Sequence, residues 1–75
     1  MSEPESIQIS GDMIRLGQLL KYAGIAESGA HAGTMITDGD VSVDGEVETR
    51  RGRQLPHGAI VEVRLPGCVA SVRIG

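Results

Sequence analysis

The hydrophobic period of this chain switches from helical to two at Gly39, and that switch fixes the class of fold it can adopt. Before Gly39, Leu16, Leu19, Leu20 and Ala23 recur at helical spacing, and a second helix is expected through Ala30, Ala32, Met35 and Ile36. After it the period is two. Val41 and Val43 point one way, Ala59, Val61, Val63 and Leu65 form a second alternating run, and Ala70, Val72 and Ile74 a third. Asp44-Gly45 stands between Val43 and Val47, the signature of a two-residue type I′ hairpin turn. Two helices followed by strands joined through tight turns predict an α+β domain, with two short helices packed on one side of a small, mainly antiparallel sheet.

Punctuation residues divide the chain. Residues 1–5 read as a frayed tail and 6–75 as one domain. Ile7 and Ile9 alternate with polar neighbours, a short strand signal. Asp12 is the expected N-cap of the first helix and Gly24 its left-handed end. Ser28 is the expected N-cap of the second, which runs to Gly39 with Gly29 and Gly33 inside it. Each interior glycine costs roughly 1 kcal/mol against alanine, so packing must hold this helix together. Residues 50–54 read as an irregular basic loop, exposed to solvent, with Leu55 as its anchor before a turn at Pro56-His57-Gly58. Pro66-Gly67 turns the chain into its last strand.

A chain of 75 residues has room for one core and no large cofactor pocket. It buries only roughly 60% of its unfolded surface. With no Phe or Trp and a single tyrosine, Tyr22, the core must come from aliphatic side chains. The same shortage argues against folds that stack successive RNA bases on aromatic sheets. One cysteine, Cys68, precludes an internal disulfide and fits a reducing compartment; in its apolar run it is expected to be buried and inert. The acidic N-terminus and the lack of a long apolar run point to a cytoplasmic protein without membrane contact. His31, His57 and Cys68 match no zinc spacing, and no nucleophile elbow or phosphate loop is present. The reading is therefore of a monomer that is no enzyme and has no metal, cofactor or small-molecule substrate.

Charge gives the functional lead. The chain carries a net charge of -3, yet Arg50, Arg51 and Arg53 gather three of its seven Lys and Arg residues just after the hairpin. Such a concentration on an acidic chain is a local anion-binding surface, and nucleic acid is the first polyanion to consider. Arginine's planar fork holds phosphate oxygens bidentately. The alternative is a solvated loop whose arginines pair with Glu46 and Glu48.

The ordered signals resemble the S4 RNA-binding domain. Arg15-Leu16 and Leu19-Leu20 are followed by Gly24, Ser28, Ala32, Ile36 and Gly39, then by Val41-x-Val43-Asp44-Gly45, Val47, Thr49-Arg50-Arg51 and Gly58. Runs 27–30 and 43–50 are most similar to small stand-alone bacterial S4-like proteins of the YbcJ type. The resemblance implies an S4-like (αL) domain and non-catalytic binding of structured RNA, ribosomal or transfer-RNA-like. It places the surface on the second helix and the basic loop after the hairpin. The sequence departs from the family at Gly29 and Gly33, where basic residues are usual, and at Gly17, where an acid is common. That shifts the electrostatics onto the arginine cluster. Candidate RNA contacts are Arg50, Arg51, Arg53, Thr49, Lys21, Ser28, His31 and Arg15. Thr49 and Ser28 are potential donors to phosphate or a 2′-OH. The alternative function is a protein-interaction module on an S4 scaffold that has lost RNA.

Overall fold

A computed structural model describes residues 4–75. Most of the expected tail, Met1 to Glu3, lies outside the described residues. Glu5 begins a strand, β1 (Glu5–Ile7). The order continues with β2 (Met13–Arg15), α1 (Leu16–Tyr22), α2 (Gly29–Thr37), β3 (Val41–Val43), β4 (Glu46–Val47), β5 (Gln54–Pro56), β6 (Ile60–Leu65) and β7 (Cys68–Ile74). The main sheet is five-stranded, in the order β1-β7-β6-β3-β4, and β2 pairs with β5 in a separate ribbon. All pairings are antiparallel except β1 with β7.

One core joins the layers. Leu16, Leu19 and Leu20 from α1 and Ala32, Met35 and Ile36 from α2 pack against Val41, Val43, Val61, Val63, Val72 and Ile74 of the sheet. Leu55 is fully buried, as an anchor for its loop should be. Full burial of one such aliphatic side chain is worth roughly 1.5–3 kcal/mol.

The hairpin turn has the expected geometry. Asp44 and Gly45 have φ of 51° and 88°, both in the left-handed region that a type I′ turn requires. Asp44 also ties the turn to β6: its backbone N–H donates to the Ile60 carbonyl at 2.8 Å, and its Oδ1 accepts from the Ile60 N–H at 3.0 Å. Ser28 caps α2, its Oγ accepting from the His31 N–H at 3.1 Å.

Three expectations need correction. Asp12 does not cap α1; it is exposed, and β2 intervenes before the helix, whose N-cap position is Arg15. Part of the supposed irregular loop is β5, whose Gln54 pairs with Arg15 and whose Pro56 pairs with Met13. Cys68 is exposed rather than buried. Burial fades along β7 toward the Pro66-Gly67 turn: Ile74 and Val72 are buried, Ala70 half-buried, and Cys68 lies past the end of the core. Among the described residues no helix is long and apolar enough to cross a membrane.

Candidate functional site

The basic loop is built onto the start of α1 by its backbone. The first N–H groups of a helix lack intrahelical partners and need acceptors from elsewhere. Here the Leu16 N–H donates to the Arg53 carbonyl and the Gly17 N–H to the Arg51 carbonyl, both at 2.9 Å. The loop thus supplies the cap that Asp12 was expected to provide. Inside the loop the Arg53 N–H closes a turn onto the Arg50 carbonyl at 3.2 Å.

Glu48 sorts the arginines. Its side chain is only 8% exposed, and it accepts from Arg53 Nη1 at 2.7 Å and from Arg50 Nε at 3.0 Å. The Arg50 backbone N–H adds a third contact at 3.1 Å. The hydrogen bonds from Arg50 and then Arg53 hold the Glu48 carboxyl down at about 2, so it is ionised at neutral pH. Arg50 is reciprocally raised by its bond to Glu48. Arg50 keeps 75% of its side chain in solvent, whereas Arg53 keeps 39%. The alternative reading in which the arginines pair with acids therefore describes Arg50 and Arg53 with Glu48. Removing them would strand a nearly buried carboxylate.

Arg51 turns the other way. Among the described residues it makes no ion pair, and it lies across the small residues of both helices. A methyl group placed on Gly17 would meet Arg51 Cβ at 3.5 Å, and one on Gly33 would meet Arg51 Nη1 at 3.8 Å. Gly17 thus lies beneath the base of the Arg51 side chain and Gly33 beneath its guanidinium. Arg51, Arg15 and Lys21 line one cleft of about 350 Å³ together with Gly17, Gly29 and Gly52. Among the described residues, those lining it carry no carboxylate. Gly52 also borders a second hollow that holds Arg50, Arg53 and Gln54. The five cations therefore follow one another around the loop instead of standing apart.

The remaining candidates are less central. Thr49 is exposed beside Arg50. The Ser28 hydroxyl serves the helix cap. His31 folds back on the same helix start, its Nδ1 accepting from the Glu27 N–H at 3.1 Å. Glu48 was expected only as one of two acids that could pair with the arginines of a solvated loop; its near-burial beneath them was not expected.

Known proteins are similar to this chain in sequence and fold. A family model for the S4 domain matches residues 7–72. A probable ribosome maturation protein, RlbA of Bacillus subtilis, is 42% identical over 57 residues, spanning 76% of this chain and 80% of the relative. A putative RNA-binding protein, YbcJ of Escherichia coli, is 46% identical over 48 residues, covering 64% and 69% of the two chains. The solution structure of E. coli YbcJ, reported to reveal an αL motif involved in RNA binding, superposes with a TM-score of 0.64 at 36% identity, over 99% of this chain and 90% of that one. With its two helices, mainly antiparallel sheet and matched residues 7–72, this chain belongs to the S4 domain family.

Proposed function

We propose that this protein binds structured RNA without catalysis, through the cleft between α1, α2 and the basic loop. The observation that carries the reading is the convergence of Arg15, Lys21 and Arg51 on one carboxylate-free cleft in a chain of net charge -3. Gly29 and Gly52 line the cleft with open space above them, which lets a sugar-phosphate backbone approach closely, and Arg51 is available to grip a phosphate with its fork. Arg50 extends the strip, with one face committed to Glu48 and the rest in solvent. The family of the chain and the names of its relatives support RNA as the polyanion, and the name of the Bacillus relative favours ribosomal RNA.

Binding to a folded RNA stem-loop at low salt tests this. The Lys21→Ala/Arg51→Ala double variant should lose most of the affinity with its melting temperature nearly unchanged, since both side chains are exposed. Thr49→Ala should matter less. Equal affinity of the double variant and the parent would overturn the reading and favour a protein-interaction module on the same scaffold.

A further inference from the structure

The chain's one tyrosine stands where a nucleic-acid ligand in the cleft would reach it. Tyr22, at the end of α1, is 64% exposed. Its hydroxyl donates to the Gln8 carbonyl at 3.3 Å, which ties the ring across to the segment after β1. Together with Ile9, Met13, Ile14, Gln18 and Lys21 it lines an open hollow of about 670 Å³. Met13 is also partly exposed there. Gln18 and Lys21 border this hollow and the cationic cleft alike, so the two lie side by side.

We infer that this hollow is a base-stacking subsite: one unpaired nucleotide of a structured RNA, a bulge or an overhang, stacks on Tyr22 while its flanking phosphates lie on Lys21 and Arg51. The inference rests on the proposed RNA binding and narrows its ligand class. An apolar shelf beside a cationic cleft complements a nucleotide, which has an apolar π-face and an anionic phosphate. The tether to Gln8 holds the ring in place before the ligand arrives, which lowers the ordering cost of binding. A single ring takes a single base, so the subsite selects a mostly paired RNA with one base out of the stack and not an extended single strand. Gln18 stands at the border; its Oε1 accepts from the Arg15 N–H at 3.3 Å, which leaves its NH2 group to donate to that base's edge or its ribose hydroxyl.

The test compares a blunt RNA duplex of two strands with the same duplex carrying one unpaired nucleotide. Stacking on one aromatic residue is worth about five-fold or more in affinity, so the bulged duplex should bind the parent at least that much better. Tyr22→Leu should bring the bulged duplex down to the affinity of the blunt one and leave the blunt one unchanged, whereas Tyr22→Phe should keep most of the preference and lose only what the tether to Gln8 contributes. Tyrosine emission reports Tyr22 alone in this chain, and the bulged duplex should quench it more than the blunt one. Equal affinity of the parent for both duplexes would overturn the subsite while leaving RNA binding intact. An equal loss on both duplexes in Tyr22→Leu would do the same, because it would mark Tyr22 as a structural residue. Binding to neither duplex nor to a stem-loop would remove the proposed function and the subsite with it.

Discussion

Arg53 Nη1 lies 2.7 Å from Oε1 of Glu48, a carboxylate packed under a loop otherwise made of cations and glycine. This pair fixes the underside of the basic loop. The hydrogen bonds from the Leu16 and Gly17 N–H groups fix its backbone to α1. What remains free to meet a ligand is the upper surface, with Arg51 over the helices and the outer part of Arg50.

The Glu48 anchor should appear in the acid limb of stability. Its folded pKa, about 2, is below the ordinary 4.5, so the unfolded chain takes up its proton first as pH falls. The stabilisation is therefore complete above about pH 4.5 and is lost as pH falls toward about 2. Glu48→Gln should melt below the parent at neutral pH, and the gap should close across that window. Thermal melts followed by circular dichroism over a pH series measure it. A gap independent of pH would show that the carboxylate charge contributes nothing.

His57 should act in the opposite direction. Its Nδ1 lies 2.6 Å from the Gly75 carbonyl oxygen and its Nε2 2.9 Å from that of Gly11. Two carbonyl acceptors favour the doubly protonated ring, and these bonds, to Gly11 and then Gly75, raise its pKa with a smaller contribution from the charge of Asp12. A raised folded pKa stabilises the fold below the ordinary value of about 6.5, and that contribution is lost as pH rises through the folded value. The difference in melting temperature between parent and His57→Gln should therefore be largest in mild acid and shrink toward alkaline pH. An NMR titration of the His57 ring that shows no upward shift would refute the assignment.

The β3–β4 turn supplies a third expectation. Gly45 has φ of 88°, and any β-branched residue there is strained. Gly45→Val should destabilise the fold by about 1–3 kcal/mol, read from urea denaturation. Asp44→Ala should cost about 1 kcal/mol through loss of the Oδ1 bond to the Ile60 N–H. Unchanged stability in Gly45→Val would be incompatible with the type I′ geometry.

Much of this architecture was legible because its signals are local. Ser28 and Gly39 bracket α2, Asp44-Gly45 marks its turn, and the alternation of β6 and β7 spans enough residues to declare a period. The β2–β5 ribbon was not legible: strands of three residues give too few positions for a period, and their partners are some forty residues apart in sequence. The capping of α1 was hidden for the same reason, since carbonyls at Arg51 and Arg53 replace a side chain next to the helix. In the site, residue types revealed the cations, but only the fold reveals that Glu48 engages Arg50 and Arg53 while Arg51 joins Arg15 and Lys21. Cys68 misled because alternation gives the face of a strand and not where along it the core ends.

Each phosphate neutralised releases condensed counterions, so affinity for RNA falls with rising salt in proportion to the number of contacts. If Arg15, Lys21 and Arg51 each neutralise about one phosphate, the slope of log affinity against log salt should be roughly -2 to -3. Arg51→Ala should make it shallower by about 1. Arg50→Ala should change it less, because Glu48 already offsets much of that charge. Titrations of a stem-loop RNA across a salt series give these slopes directly. A full unit lost in Arg50→Ala with none lost in Arg51→Ala would move the phosphate track from the glycine-lined cleft to the outer rim of the loop.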